Sequence, residues 1–399
     1  NASQARRAAQ ILLDTALQER TRYQFTLPAK YLALEPGDVV TLTVKNQAHV
    51  VRLTRCVAER GTLQVEGVST DAATYQQSQL TTSAGNIAAL VIAGGSTLYA
   101  LDIPLVDESD DTLCWYAAAS KKRGDTRWQY AALYESFDDV AYEPRTLLNA
   151  EAIAGKASTA LAAALYPATW DTKNTVEVTL DDGALQSFSD DLVLNGANTA
   201  VLGSEILQFA NATLVGTNRY RLSRLLRGRR GTEWAMGSHA VNERFVLLGG
   251  EVVRQPLAFS NLGVLRYEKA VSNGALLDDA AAVSLTPTGA SLKPFAPVHL
   301  RAARNGSGDI TLSWIRRARL AAGWQDNSDT ALDESLEQYE VDILNGASVV
   351  RTLGVMTPTA IYTAAQQIAD FSAAQSSLSV RVYQLSSRVG RGTAAAAVV

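Results

Sequence analysis

Short runs of alternating apolar and polar residues recur along most of the chain, and they constrain its fold more than any other feature. Clear examples lie at residues 23–27, 175–180 and 378–382. Because successive side chains of a β-strand point to opposite faces, this period of two predicts strands with one buried face. Turn residues such as Asn195-Gly196 separate the runs. The sequence therefore predicts a mainly β protein, built from several antiparallel β-barrel or sandwich domains.

The first twenty residues differ from this pattern, because their apolar residues recur at helical spacing. Ala5, Ala9, Leu12, Leu13 and Ala16 form one stripe of an α-helix. Alanine, glutamine, leucine and arginine, which dominate the segment, all favour helix. We therefore predict a short N-terminal helix over residues 2–20 that packs on a larger body.

A chain of 399 residues exceeds one ordinary hydrophobic core, so two to four domains are expected. The boundaries are placed where the period changes or where polar and proline-bearing stretches interrupt the strands. The predicted parts are a helical lead-in over residues 1–22, a small β-barrel over 23–80, a β-rich domain over 81–250, strands and a linker over 251–293, and a C-terminal sandwich over 294–399.

The last hundred residues resemble a fibronectin type III domain. The residues that carry this resemblance are Pro297, Trp314, Tyr339, Tyr362 and Tyr383. The departure from that pattern is a long insertion, residues 316–337, between the second and third strands. Loops of that length usually make contacts, so a binding loop and a solvated excursion are equally supported.

A search for catalytic and metal-binding motifs finds no HExxH, CxxC, GxSxG, SxxK or Walker A pattern. His49, His239 and His299 are widely separated, which argues against a zinc site. The acidic loops 107–111 and 326–329 lack EF-hand spacing and are interpreted as solvated loops. Neighbouring aspartates, as at residues 181–182, are interpreted as turn residues. We therefore expect no enzyme activity, no catalytic residue, no cofactor and no metal.

Net charge, the length of the apolar runs and cysteine content argue against further classes of protein. The net charge of −4 argues against nucleic acid as the main partner, because phosphate binding needs a basic surplus. No apolar run approaches the roughly 20 residues that a membrane span needs. Cys56 and Cys114 are too few for a metal cluster or a disulfide framework, and we expect both to be small buried residues.

The stretch of residues 219–248 is the most informative part of the chain. Its opening strand pattern places Tyr220, Leu222 and Arg224 on one face. Gly228 and Gly231 then bracket two arginines at a predicted tight turn, because glycine accepts a positive φ without strain. A second, buried strand is predicted over residues 245–248. The segment is therefore expected to be a β-ribbon with an arginine-bearing tip.

Five arginines within ten residues of this ribbon permit two interpretations. One is a phosphate-binding patch, and the other is a hairpin whose arginines pair with carboxylates of the same chain or of a neighbouring subunit. The second is favoured, because clustered cations on an acidic chain need partners and the guanidinium fork fits carboxylates. The more specific version of this second interpretation is that the arginines lie at a subunit interface. The candidate interface residues are Arg221, Arg224, Arg227, Arg229, Arg230 and Glu233.

The amino-acid sequence of this stretch also resembles that of a known family. Residues 225–233 (LLRGRRGTE), followed by His239 and by residues 243–248 (ERFVLL), resemble the C-terminal part of baseplate hub, or tail-tip attachment, proteins of long-tailed phages and gene-transfer agents. Further similar strings are residues 101–105 (LDIPL), 132–136 (ALYES), 193–198 (VLNGAN), 203–209 (GSEILQF), 296–300 (APVHL) and 314–319 (WIRRAR).

The resemblance implies a structural, non-enzymatic virion protein, usually trimeric, which closes the tail tube and carries fibres or receptor-binding parts. It implies as partners other copies of the chain, further tail-tip, distal-tail and fibre proteins, and possible contact with the host surface, with no specific nucleic acid. Some gene-transfer-agent relatives carry a TIM-barrel-like glycosidase domain further upstream. This chain shows no alternation of strands and helices, so that activity is not carried over.

Two other function classes stay open. The first is a secreted or surface-displayed glycan-binding multidomain β protein, since β-sandwiches often accompany such binding. Exposed aromatic platforms around Trp115, Trp128 and Trp234 would favour it. The second is a carbohydrate-cleaving enzyme, which turnover on cell-wall or capsule polysaccharide would reveal.

Overall fold

A computed structural model of the chain describes residues 2–72, 92–107, 111–237, 239–320, 330 and 332–399. Strands make up 44% of it and helix 11%, which confirms the predicted mainly β fold class. The chain forms two compact units, Asn1–Ile87 and Ala88–Val399. None of the helices in the described ranges is long and apolar enough to cross a membrane.

The first unit begins with the predicted helix and continues as one antiparallel sheet. Its elements are α1 (Ala2–Gln18), β1 (Arg22–Pro28), β2 (Val39–Val44), β3 (Gln47–Glu59) and β4 (Thr62–Ser69). The strand order is β1-β4-β3-β2. Val51, Leu53, Leu63 and Val65 form the buried core, which the alternation in β3 and β4 provides.

The second unit contains the remaining described strands and two further α-helices. In chain order the strands are β5 (Thr97–Leu101), β6 (Cys114–Ser120), β7 (Ala131–Ser136), β8 (Glu143–Leu148), β9 (Ala154–Ala157), β10 (Trp170–Asp171), β11 (Val176–Leu180), β12 (Thr199–Leu202), β13 (Glu205–Gly216), β14 (Arg219–Leu226), β15 (Arg244–Leu247), β16 (Val253–Pro256), β17 (Arg266–Ser272), β18 (Val283–Leu285), β19 (Val298–Arg304), β20 (Ile310–Ile315), β21 (Tyr339–Asn345), β22 (Ser348–Val355), β23 (Thr359–Tyr362), β24 (Ser379–Ser386), β25 (Gly390–Arg391) and β26 (Ala395–Val398). The helices are α2 (Asp190–Leu194) and α3 (Ala364–Phe371).

Two sheets pack around Trp115 in the first part of this unit. Their strand orders are β16-β6-β5 and β18-β17-β7-β8. Trp115 is fully buried, and Leu133, Leu148 and Leu292 share its core. Strands from residues 253–285, which the sequence assigns to a stretch of strands and linker, therefore complete sheets that begin at residue 97.

The next sheet closes on itself as a barrel. Its order is β10-β14-β11-β9-β15-β12-β13, and β13 also pairs with β14. The pairing of β13 with β14 joins the two sides of the sheet, so six strands enclose a core in which Phe209 and Phe245 lie with ring centres 6.4 Å apart. Closure removes the exposed strand edges that open sheets present. The predicted β-ribbon of residues 219–248 is wrong, because its two strands do not pair with each other. β14 pairs with β10, β11 and β13, whereas β15 pairs with β9 and β12. The arginine-rich strand β14 instead forms a hairpin with β13 in the barrel wall.

The C-terminal residues form the predicted fibronectin type III-like sandwich. One sheet has the order β19-β20-β23, and the other pairs β22, β21, β24 and β26. Trp314 from β20 and Tyr339 from β21 meet edge to face across the core, with ring centres 5.2 Å apart. Helix α3 begins with a capping box, in which the side chains of Thr363 and Gln366 each accept a hydrogen bond from the other residue's backbone amide.

Candidate protein interface at the arginine turn

The alternation of β14 breaks at Arg224. The sequence pattern puts Leu222 and Arg224 on one face, but Arg224 has a φ of +56°. As a result Leu222 and Leu225 both enter the barrel core, while the Arg224 guanidinium lies 4.7 Å from the centre of the Trp170 ring. The predicted face of Arg224 is therefore wrong, because a left-handed backbone residue reverses the side-chain direction that an extended strand would give.

The predicted turn after β14, residues 228–231, is confirmed, and we name it the arginine turn. Both of its glycines are required. Gly228 has φ +60° and Gly231 has φ +78°. A Cβ on Gly228 would lie 2.9 Å from Glu233 Cα, and a Cβ on Gly231 would lie 2.7 Å from Phe295 Cγ. A side chain at either position would clash with neighbouring atoms, and the positive φ would strain its backbone as well. The turn is thus packed tightly against its own chain.

A buried network of charged groups lies beneath the turn. Arg227 donates from Nε and Nη2 to the two carboxylate oxygens of Glu205, each at 2.7 Å. The Gly228 amide donates to the same carboxylate at 2.8 Å. His239 Nε2 is 2.7 Å from Glu205 Oε2, and His239 Nδ1 is 2.6 Å from Glu243 Oε2. Arg227 and Glu205 are fully buried, so the network links β13, β14 and the loop before β15.

The charges in this network stabilise one another. Burial acts to raise the pKa of Glu205, but hydrogen bonds from His239 and Arg227 outweigh burial and hold that pKa below its ordinary value. Burial acts in the opposite direction on His239, and the carboxylates of Glu205 and Glu243 outweigh it, so the pKa of His239 is raised. An imidazolium ring that donates from both nitrogens satisfies both carboxylates.

This arrangement suits a structural role rather than proton transfer. A general base needs a ring nitrogen that is open to substrate, and carboxylates engage both ring nitrogens of His239. Within the described ranges, no group of three or more histidine, cysteine, aspartate or glutamate residues is arranged to hold a metal ion. The other two histidines lie in strands, where His49 contacts the Tyr23 ring and His299 belongs to β19.

Two more arginines of the hairpin have carboxylate partners within the chain. Arg221 donates from Nε and Nη2 to Glu177 at 3.0 and 2.7 Å, and these bonds lower the pKa of Glu177. Arg224 donates from Nε to Asp190 at 2.7 Å, which lowers the pKa of Asp190. The sequence interpretation allowed these arginines to pair with carboxylates of the same chain or of a neighbouring subunit, and these pairs are of the first kind. The Arg227 side chain is fully buried, so it supports the turn from inside the protein and cannot contact a partner chain.

The outer surface of the turn carries the remaining candidates. Arg229 is exposed and Arg230 is half-buried, and Glu233 forms an ion pair with Arg317 at 2.8 Å. Beside them Trp234 is 62% exposed. Two grooves of about 620 and 910 Å³ flank the turn, and Arg229, Arg230 and Arg317 line both. Arginine and tryptophan together are typical of the residues that dominate protein interfaces.

The described ends of the insertion 316–337 make contacts with the body of this unit. Arg319 is buried and pairs with Asp111 at 2.9 Å, and its backbone amide and that of Leu320 donate to Asp333. Asp111, the described end of the acidic loop 107–111, also accepts from Arg388. The acidic loop 326–329 lies outside the described residues.

Aromatic and cysteine residues separate into buried and exposed groups. Trp115 is fully buried, so it cannot form the exposed platform considered from sequence, and Trp128 is half-buried and donates to Ser96 at 2.8 Å. Trp234 alone of the three is largely exposed. Cys114 is buried as expected, whereas Cys56 is half-buried, and both are free thiols.

Sequence reasoning did not find the partners of the arginines. Glu205, Glu243 and Arg317 are not among the predicted interface residues, although all three lie inside the stretches that resemble the hub family. A signal was present, since Glu205 is an acidic residue at the start of an apolar strand, where burial demands a partner. Spatial pairing over 22 residues with Arg227 could not be read from spacing alone.

Two family models match parts of the chain. Residues 1–56 match one described as putative phage tail protein, and residues 152–246 match one described as Rcc01698-like, C-terminal. The second match covers the barrel and its buried network. The first suggests a phage tail protein.

Comparison with solved structures gives weak similarities. The rat CD45 extracellular region, domains d3-d4, matches with TM-score 0.20 and 13% identity, over 38% of this chain and 71% of that one. The chicken CNTN1 FN1-FN3 domains match with TM-score 0.20 and 9% identity, over 77% of this chain and 97% of that one. No curated protein matches the chain.

Proposed function

We propose that this chain is a structural component of a phage tail tip or baseplate hub. It closes the tail tube as a ring of identical subunits, usually three, and it anchors fibres or receptor-binding parts. The other tail-tip, distal-tail and fibre proteins are its partners, and the virion is its location. The observation that carries the proposal is the match of residues 1–56 to a phage tail family model.

The geometry of the second unit supports a mechanical role of this kind. A closed barrel holds the arginine turn, and a buried ion network fixes the turn to the barrel. Closed barrels and satisfied buried networks resist deformation, which suits a part that transmits load. We propose no catalytic activity, because the charged groups at this site are bound to one another rather than directed at a substrate.

The mass of the purified assembly tests the proposal. Native mass spectrometry of the full chain is expected to show a species of three times the mass of one subunit, and antibody labelling of particles is expected to mark one end of the tail. A strictly monomeric chain that is absent from particles would contradict the tail-tip role. Labelling along the tail tube instead of at its end would contradict the position but not a role in the tail.

A glycan-binding protein is the second candidate function, and Trp234 is the observation that favours it. Trp234 is 62% exposed and lines the groove of about 910 Å³ and a further one of about 430 Å³, so its indole can stack on the apolar face of a sugar ring. Calorimetric titration with cell-surface oligosaccharides tests this candidate. Binding that Trp234→Ala abolishes would favour it, and no heat of binding for the unchanged protein would exclude those sugars as ligands.

A further inference from the structure

The groove of about 430 Å³ beside Trp234 combines an exposed aromatic ring with charged and hydroxyl-bearing side chains. We name it the lysine groove, after Lys293, which lines it together with Asp102, Ser204 and Thr393. It lies where the barrel, the sandwich around Trp115 and the C-terminal sandwich meet. Its volume falls within the roughly 300–1,000 Å³ that is common for small-molecule sites.

Lys293 brings a positive charge to this groove, and its ammonium group has no partner within the protein. The residue is half-buried, and within the described ranges its side chain forms neither an ion pair nor a hydrogen bond. Burial removes water from a cation, so an anionic ligand that replaces this water is favoured. A carboxylate can accept a charge-assisted hydrogen bond from the ammonium group.

Asp102 provides a fixed acceptor in the same groove. Its Oδ2 accepts from the amide and the hydroxyl of Thr288 at 2.6 and 2.7 Å, and its Oδ1 accepts from the Ala290 amide at 3.3 Å. These bonds orient the carboxylate before any ligand binds. A carboxylate offers about four acceptor positions, so Oδ1 can accept one more hydrogen bond. The hydroxyl group of a ligand is a suitable donor.

Trp234 provides a flat apolar surface beside these two charged groups. Its side chain is 62% exposed, whereas the other aromatic ring of the described lining, Phe295, is covered by the Arg317 guanidinium at 5.3 Å. An exposed indole can stack on a ring with an apolar face. The groove therefore offers a stacking surface, a hydrogen-bond acceptor and a cation.

We propose that the lysine groove binds a uronic acid, a sugar that carries a carboxylate. Lys293 holds the carboxylate, Asp102 accepts a hydrogen bond from a sugar hydroxyl, and Trp234 stacks on the sugar ring. A neutral sugar leaves Lys293 without a partner, and a simple carboxylate leaves Trp234 uncovered. The proposal rests on glycan binding, the second candidate function above, and names its site and its class of sugar.

NMR titration of the full chain with two small glycosides tests the proposal. The probes are methyl β-D-glucuronide and methyl β-D-glucoside, which differ only in the group at C6, a carboxylate in the first and a hydroxymethyl in the second. We expect the glucuronide to bind at least about tenfold more tightly, because only its carboxylate can pair with Lys293.

Three variants assign the binding to the groove. Lys293→Gln is expected to lower the affinity for the glucuronide about tenfold and to keep that for the glucoside, which also shows that the variant is folded. Lys122→Gln is the matched control, since Lys122 is an exposed lysine outside the groove lining, and it is expected to bind both glycosides normally. Trp234→Ala is expected to weaken the binding of both.

Equal affinities of the unchanged protein for the two glycosides would overturn the proposal. Glycan binding itself would still stand if Trp234→Ala then abolished both. No binding of either glycoside would overturn the proposal, and so would glucuronide binding that Lys293→Gln leaves unchanged. Glucuronide binding that Trp234→Ala leaves unchanged would overturn it in favour of a simple anion site, at which acetate would compete equally well. Preference for the glucuronide in a chain that is absent from particles would support this site while the tail-tip function fails.

Discussion

Arg227 and Glu205 form a bidentate ion pair with no solvent exposure, and the pair joins the first residue of β13 to the residue after β14. Both strands belong to the closed barrel, so the pair fixes the base of the arginine turn to it. The Gly228 amide and His239 complete the coordination of the carboxylate. A buried charge with a full set of partners specifies one conformation, because each alternative leaves a charge unpaired.

Replacement of Arg227 by methionine is expected to lower the free energy of unfolding by about 3–5 kcal/mol, because it leaves the Glu205 carboxylate buried without its main cation. Urea unfolding followed by circular dichroism measures the loss. Arg221→Met is the control and is expected to lose much less, since the Arg221 side chain is half exposed and Glu177 keeps its ion pair with Arg219. Equal losses in the two variants would contradict a special role for the buried pair.

The stability of this unit is expected to depend on pH through His239 and Glu205. The pKa of His239 is raised above 6.5, so its contribution is complete below pH 6.5 and is lost as the pH rises through the raised value. The pKa of Glu205 is lowered below 4.5, so its contribution is complete above pH 4.5 and is lost as the pH falls through the lowered value. Stability is therefore expected to be greatest between these two limits.

Thermal unfolding of His239→Gln from pH 6.5 upward, through the range in which His239 loses its proton, measures the first of these contributions. The variant is expected to lose the alkaline decline, because glutamine does not titrate there, and His299→Gln is expected to keep it. A His239→Gln variant with the same alkaline decline as the unchanged protein would assign that decline to another group.

Gly231→Ala is expected to destabilise the protein by about 1–3 kcal/mol, because the residue has φ +78° and its new methyl group would meet the Phe295 ring. Gly237→Ala is the matched control, since a Cβ at Gly237 has no neighbour within 4 Å. Urea unfolding of both variants tests the difference. A Gly231→Ala variant as stable as Gly237→Ala would show that the turn can move away from Phe295.

Much of the fold could be predicted from the sequence, because period-two alternation and turn glycines are local signals. The N-terminal helix, the strand ending at Leu226 and the turn between Gly228 and Gly231 all depend on neighbouring residues. Closure of the barrel could not be predicted from local patterns, since it requires β14 to pair with both β13 and β11. The pairing of β14 with β11 joins strands that are distant in the sequence, and no local signal encodes it.

The candidate site was predicted only in part for the same reason. The arginines were recognised as a cluster, but their partners Glu177, Asp190 and Glu205 lie 22 to 44 residues away in the chain. Arg224 shows a further limit, because its positive φ is uncommon for arginine and no turn residue marks it. An aromatic ring and a carboxylate, Trp170 and Asp190, hold its side chain in the structure.

Trp234 provides the most direct test of the proposed ring. Its side chain is 62% exposed and follows the arginine turn directly in the chain, so Trp234→Ala is expected to leave the melting temperature almost unchanged. If the turn contacts a neighbouring subunit, the loss of a buried indole is expected to weaken association by about 2 kcal/mol or more, which is roughly thirtyfold. Leu276→Ala removes a side chain that is 69% exposed and lies outside the turn, and it is expected to associate normally. Analytical ultracentrifugation over a range of concentrations compares the two variants, and equal association constants would place the subunit interface away from the arginine turn.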